Sequence, residues 1–216
     1  MSDNNNNVNY ETLSDYQLDA LREIGNIGAG NAAVALTEFL NRATYMSIPN
    51  VQVDKTDNLV NVVKMPKGKK IAIVSLDTIQ DLRYGLFAFF NDDSVQRIID
   101  LMTTDYDTGD PADIVEMSPL FLSLIKEIGS ILLLKYVEAL NKLLMAESYP
   151  SPPAIRIGTV ESIVDHEMKD LEIKNVLLIQ CDVFTSEKKI QVDMAIIPYQ
   201  ESFDRFMAAL QLGDDD

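Results

Sequence analysis

Two stretches of the chain, residues 18–41 and 118–144, carry apolar residues every three or four positions. This spacing places the apolar side chains on one helix face, so it predicts two long helices. Ser14 and Asp15 stand just before the first stretch, where residues that cap a first turn are expected. Pro119 falls in the first turn of the second helix, a position that tolerates proline.

Shorter apolar segments between turn-forming residues predict strands and short helices. The predicted strands are residues 47–55, 59–65, 71–77, 82–90, 154–160, 175–184 and 189–197. Short helices are predicted over 94–102, after the candidate caps Asp92 and Asp93, over the insertion 160–170, and over 200–210. Apart from the candidate strand 59–65, which Asn and Lys interrupt, and the insertion, each half follows the order helix, strand, strand, strand, helix, and the short turns between consecutive strands favour antiparallel pairing.

These elements predict an α+β fold: a duplicated repeat with pseudo-twofold symmetry, whose largely antiparallel sheet packs with two long motif helices. The pattern leaves open whether both halves share one sheet. A single domain is expected over residues 10–212, made of repeats at about 10–104 and 114–212. The non-periodic residues 1–9 predict a disordered tail, and the acidic, turn-forming residues 103–113 predict a linker.

The first predicted helix carries a polar stripe that a purely structural helix does not need. Asp19, Glu23 and Asn26 stand at positions i, i+4 and i+7. They fall within about 60° of one another around the helix axis, so they share one face.

The second predicted helix repeats this motif 104 residues later, with Ser123, Glu127 and Ser130 at the same spacing. The tripeptide Glu-Ile-Gly recurs at that offset, and so does a proline, at Pro49 and Pro153. Recurrence at one fixed offset indicates an internal duplication.

Small residues mark close packing on the first helix. Gly25 lies inside it, where glycine costs roughly 1 kcal/mol relative to alanine, so another surface is expected to approach closely there. Gly28, Ala32 and Ala35 form a strip that is expected to pack against the second motif helix.

The motif resembles the signature of the CheC/CheX/FliY phosphatases of bacterial and archaeal chemotaxis. The first copy matches that signature through Asp19, Glu23, Asn26 and Pro49, whereas Ser130 of the second copy stands where the family has asparagine. Two copies about a hundred residues apart most resemble the CheC members, and the family's fold implies that both halves share one sheet.

The resemblance implies a hydrolase that removes phosphate from the aspartyl phosphate of the response regulator CheY. Mg²⁺ is then held by the regulator, and no cofactor of the chain's own is expected. The resemblance further implies that Asn26 orients the attacking water and Glu23 pairs with the regulator's active-site lysine. Asp19 and Ser123 are expected to serve in binding, Asp19 either by orienting Asn26 or by contacting the partner.

Glu127 and Ser130 form a second candidate catalytic site. A serine hydroxyl has a shorter reach than an amide, and Leu132–Leu134 stand where the first copy has Gly28–Gly30, so weaker activity is expected there. The alternative function is a regulatory binding module for the receptor deamidase CheD, with weak or no phosphatase activity. A solvated helix face without function is the ordinary explanation of an isolated Glu-x-x-Asn.

Composition narrows the classes of partner and site. The net charge of −16 disfavours binding to nucleic acid and to anionic membranes. The single cysteine, Cys181, and the absence of three-ligand spacing predict no metal site. No apolar run approaches the roughly 18 residues of a membrane span, and no secretory leader is present, so a cytoplasmic protein is expected.

Overall fold

The computed structural model describes residues 14–103, 117–163, 175–186 and 188–209. The first half contains α1 (Asp15–Leu40), β1 (Thr44–Met46), β2 (Asn50–Lys55), α2 (Leu59–Val62), β3 (Ile71–Gln80), β4 (Tyr84–Phe90) and α3 (Asp92–Thr103). The second half contains α4 (Pro119–Leu143), β5 (Ser148–Pro150), β6 (Ala154–Gly158), α5 (Val160–Ile163), β7 (Asn175–Thr185), β8 (Lys189–Pro198) and α6 (Gln200–Ala209).

The predicted tail over residues 1–9 lies outside the described residues, as does almost all of the linker predicted over 103–113 and most of the insertion over 160–170. The predicted domain limits and the predicted boundary between the repeats also fall there. These limits therefore stay predictions.

Side-chain caps set the start of both long helices. Ser14 Oγ accepts a hydrogen bond from the Gln17 backbone N–H at 3.2 Å, and Gln17 Oε1 accepts one from the Ser14 N–H at 3.0 Å. In α4, Ser118 Oγ accepts from the Phe121 N–H at 3.4 Å, and Pro119 is the first helical residue. The predicted cap Ser14 and the predicted position of Pro119 are both confirmed.

One antiparallel sheet contains strands of both halves. β4 and β8 lie side by side at its centre, with β3 beyond β4 and β7 beyond β8. The outer strands are exchanged: β1 and β2 of the first half pair with β7, whereas β5 and β6 of the second half pair with β3. This reciprocal pairing confirms the α+β class and the pseudo-twofold relation, and it settles that the halves share a sheet.

Buried clusters cover both faces of the sheet. Alternate residues of β4 point in opposite directions, so Ala88 and Phe90 join one cluster and Phe87 and Phe89 join the other. The larger cluster lies between the sheet and α1, α3 and α4, and the smaller one lies under α2. The polar stripe of α1 is thereby left on the side that faces solvent.

Two sequence predictions were wrong between α1 and β3. Residues 59–65 are not a strand: a 3-10 turn over Thr56–Asn58 leads into α2, because Leu59 and Val63, four residues apart, both reach the core on one side of a helical turn. The strand predicted over 47–55 begins late, because β2 starts at Asn50, directly after Pro49, which has no N–H for a ladder, and a separate strand, β1, precedes the predicted range.

The predicted caps of α3 were also wrong. Asn91, rather than Asp92 or Asp93, caps this helix, since its Oδ1 accepts from the Ser94 backbone N–H at 2.8 Å. The two aspartates form the first turn instead, where their negative charge is favoured by the helix dipole.

Candidate functional site

The predicted polar stripe lies on the exposed face of α1. Leu21 and Ile24 anchor the opposite face in the core, so Glu23 and Asn26 are held in solvent, as expected. Within the described part of the chain, the side chains of Glu23 and Asn26 have neither a hydrogen-bond nor an ion-pair partner. The carboxylate and the amide, one turn apart on a rigid helix, are available to an external molecule.

Asp19 stands apart from this pair. Its Oδ1 accepts a hydrogen bond from Arg22 Nη1 at 2.7 Å, and both side chains are largely exposed. The carboxylate is therefore engaged by Arg22 rather than by the Asn26 amide. Its binding role stays a prediction.

The close approach of another surface that was predicted at Gly25 is confirmed. A Cβ atom added there would lie 3.0 Å from both Pro49 Cγ and Val51 Cγ2. The motif proline thus packs directly on the backbone next to Asn26, which explains why a proline belongs to this pattern although it is far from Asn26 in sequence.

Gly28 confirms the predicted packing of α1 against α4. A Cβ atom at Gly28 would lie 2.6 Å from the Tyr136 ring, so only glycine leaves room for that side chain. Ala32, one turn later, is completely buried. Residues of the second half therefore support the helix that carries Asn26.

An open groove of about 270 Å³ lies beside Asn26. Its α1 side consists of the small residues Ala29, Gly30 and Ala33, which leave the space open, and its other side is β1 with the connection from β1 to β2. Ile48, which is 88% exposed, lines this groove. The full lining is Asn26, Ala29, Gly30, Ala33, Thr44, Tyr45, Met46, Ser47, Ile48 and Pro49.

The second motif copy does not present the same groups. Glu127 is exposed, but Ser130 is only 7% exposed and its hydroxyl donates to the Lys126 carbonyl at 2.5 Å. The Ser123 hydroxyl likewise turns back to the helix and donates to the Pro119 carbonyl at 2.9 Å. Both hydroxyl protons are therefore used within α4, and neither is directed to an external molecule.

The surroundings of the second copy differ as well. Leu133, Leu134 and Val137 occupy the positions that Ala29, Gly30 and Ala33 occupy in the first copy. Comparing the two helices at the offset of 104 residues could have located the groove from sequence, because it is the small residues of α1 that leave room for it. Tyr136, in contrast, gave no sequence signal, since its contact with α1 depends on how the two helices pack.

The described residues contain no group of three His, Cys, Asp or Glu side chains that could hold a metal ion. Cys181 is buried, and burial raises the pKa of its thiol to about 12, which opposes thiolate formation. In the described ranges, no helix is long and apolar enough to cross a membrane.

A second, more polar pocket of about 470 Å³ shares Ser47 and Ile48 with the groove. Among its lining residues, Gln180 and Asp193 form a buried cross-strand pair in which Gln180 Nε2 donates to Asp193 Oδ2 at 3.2 Å. The Lys64 backbone N–H donates to the same oxygen, whereas Asp193 Oδ1 has no partner among the described residues. Burial raises the pKa of Asp193, although these donors oppose the shift.

Asp193→Asn is expected to stabilise the fold increasingly as pH rises. The folded-state pKa lies above the unfolded-state value, so the wild-type protein loses stability between these two pKa values, starting at about pH 4. Asparagine does not titrate, so the variant's advantage in unfolding free energy should grow over this window and then level off. Urea unfolding across the pH range measures it, with the exposed Asp57→Asn as control; a difference that is independent of pH would contradict this expectation.

Comparisons with known proteins agree with the fold and the motif. Residues 17–52, which contain Asp19, Glu23, Asn26 and Pro49, match the CheC-like family. The CheY-P phosphatase CheC of Bacillus subtilis (strain 168) is 26% identical over 211 residues, covering 93% of this chain and 97% of that protein.

Solved structures show the same fold. FliY of Thermotoga maritima superimposes with a TM-score of 0.71 at 21% identity, covering 93% of this chain and 98% of that one. The FliM middle domain from H. pylori gives a TM-score of 0.62 at 13% identity, with 91% and 99% coverage. The family resemblance seen in the sequence is therefore confirmed: residues 17–52 match the CheC-like family, the chain is similar to a CheC protein over most of its length, and it shares its fold with FliY and the FliM middle domain.

Proposed function

We propose that this protein is a phosphatase that hydrolyses the aspartyl phosphate of a CheY-type response regulator. The observation that carries the proposal is the free carboxylate–amide pair of Glu23 and Asn26, held in solvent beside an open groove. The 26% identity to a protein named CheY-P phosphatase CheC supports the same substrate.

The chemistry requires little from the phosphatase itself. The labile acyl phosphate and the Mg²⁺ ion belong to the regulator, so the phosphatase needs only to place a water in line with the phosphorus. The Asn26 amide has both a donor and an acceptor, so it can bind this water and fix its orientation. The Glu23 carboxylate can form a charge-assisted hydrogen bond with a lysine of the regulator.

The groove supplies contact area for the same partner. Asn26 itself lines the groove, and the exposed side chains of Tyr45 and Ile48 extend from its other side. A regulator that brings its phosphorylated aspartate to Asn26 therefore covers these apolar side chains. Their burial would strengthen the complex in proportion to the apolar area that is removed from water.

The direct test is phosphate release from a phosphorylated CheY-type regulator, with and without this protein. The wild-type protein should accelerate release above the regulator's own rate, and Glu23→Ala with Asn26→Ala should abolish nearly all of that acceleration. An unchanged rate in the folded double variant would reject the proposal. The deamidase CheD as a partner stays a prediction from the family resemblance.

The second copy is expected to contribute little to turnover. Glu127→Ala with Ser130→Ala should leave most of the activity, because the Ser130 hydroxyl is already engaged by the Lys126 carbonyl. Ser130→Asn in an Asn26→Ala background should not restore activity, since leucines replace the small residues around it. Loss of most activity in the Glu127/Ser130 double variant would show instead that the second copy is the catalytic one.

A further inference from the structure

Tyr136 of α4 reaches from the second half to the backbone that carries Asn26. Its side chain is 1% exposed, and its hydroxyl donates a buried hydrogen bond to the Gly25 carbonyl at 3.2 Å. That carbonyl belongs to the peptide bond that joins Gly25 to Asn26. A side chain outside the sequence motif thus contacts the peptide group from which Asn26 extends.

Two close-packed contacts of α1 accompany this hydrogen bond. Gly28 makes room for the Tyr136 ring, since a Cβ atom there would lie 2.6 Å from it. Pro49 and Val51 approach Gly25 within 3.0 Å of where its Cβ would be. The turn that carries Asn26 is therefore held between α4 and the start of β2.

This turn needs such support because of its composition. Gly25 and Gly28 flank Asn26, and glycine leaves the backbone more conformational freedom than any other residue. In an α-helix the Gly25 carbonyl also accepts from the Ala29 N–H, and its second lone pair is free for the tyrosine. The Tyr136 hydroxyl adds a bond at the point where the helix is intrinsically loosest.

The support runs in one direction only. The first-half counterpart of Tyr136 at the offset of 104 residues is Ala32, which has no hydroxyl to offer the second copy. The second copy also has Leu132 where the first has Gly28, so the space for an equivalent ring is filled. One half carries the candidate site, and the other half supports it.

We propose that Tyr136 is a positioning residue for Asn26: it fixes the Gly25–Asn26 peptide and so holds the amide where the attacking water must bind. This inference rests on the proposed phosphatase function. It assigns to α4 a role in the first site that is independent of Glu127 and Ser130.

Tyr136→Phe tests the role, because it keeps the ring that fills the space above Gly28 and removes only the hydroxyl. We expect kcat for regulator dephosphorylation to fall roughly tenfold, since small errors in position are costly in such reactions. KM should be unchanged, because Glu23 and the groove remain. Tyr84→Phe, which removes another buried tyrosine hydroxyl, is the matched control and should leave kcat unchanged.

A double-mutant cycle separates positioning from general damage. In an Asn26→Ala background, Tyr136→Phe should cause no further loss of kcat, because the group that it positions is absent. An equal loss in both backgrounds, or an unchanged kcat in Tyr136→Phe alone, would overturn the assignment.

Hydrogen exchange provides a readout that does not depend on activity. Tyr136→Phe should speed exchange of the Ala29 amide, whose acceptor is the Gly25 carbonyl, more than exchange at the far end of α1. If the wild-type protein does not accelerate phosphate release, the proposed function fails, and exchange alone then decides the role of Tyr136. Unchanged exchange at Ala29 would overturn it.

Discussion

Asn26→Ala is expected to reduce kcat for regulator dephosphorylation by about 100-fold, the usual cost of losing one group that positions or stabilises the reacting atoms. The fold should remain intact, because the Asn26 side chain is exposed, has no partner among the described residues, and is replaced by the best helix former. Phosphate-release kinetics and thermal unfolding of the same samples measure the two effects.

Asn31→Ala is the matched control, because Asn31 is also an exposed asparagine of α1 but lies outside the motif. It should leave both kcat and stability close to those of the wild-type protein. Equal losses of kcat in the Asn26 and Asn31 variants would show that the motif position has no special role.

Gly129→Ala should be strongly destabilising. A Cβ atom there would lie 2.6 Å from Val74 Cγ2 and 2.7 Å from Val74 Cβ, and Val74 is fixed in the central part of the sheet. Overpacking of this kind typically costs about 1–3 kcal/mol of unfolding free energy, which outweighs the gain in helix propensity.

Gly30→Ala, the matched control, is expected to stabilise the fold. Nothing lies within 4 Å of a Cβ atom at Gly30, so only the helix-propensity gain of about 1 kcal/mol remains. Denaturant unfolding of both variants should therefore give shifts of opposite sign. Shifts of the same sign would mean that propensity, and not contact with Val74, decides the stability of these positions.

Much of the fold was predictable because long periodic segments leave little ambiguity. An apolar stripe over seven turns predicted α4 to within one residue at each end; the range predicted for α1 began three residues late, although the predicted cap Ser14 marks its true start. The prediction of a strand over residues 59–65 was wrong because a short apolar run fits a strand and a helical turn equally well. Only packing against the smaller core decides between the two.

In the candidate site, too, some features follow from the sequence pattern and others depend on tertiary packing. The exposure of Glu23 and Asn26 follows from their position opposite Ile24, which the helical period alone provides. The free-energy cost of a glycine inside a helix predicted a close neighbour at Gly25. No local pattern predicts that Pro49 and Tyr136 are the residues in contact there, because these contacts are set by tertiary packing. Weaker activity of the second copy was already expected from the sequence, and the structure adds that the Ser130 hydroxyl donates to the Lys126 carbonyl.

The exchanged strand pairing has a consequence for folding kinetics. β2 pairs with β7 so that Asn50 lies opposite Gln180, 130 residues away. β3 likewise pairs with β6, a strand of the second half. Contacts of such separation form only after long loops close, so a high contact order and slow folding are expected. During synthesis the first half leaves the ribosome with β2 unpaired and one edge of β3 uncovered, which makes that nascent intermediate the stage most exposed to aggregation.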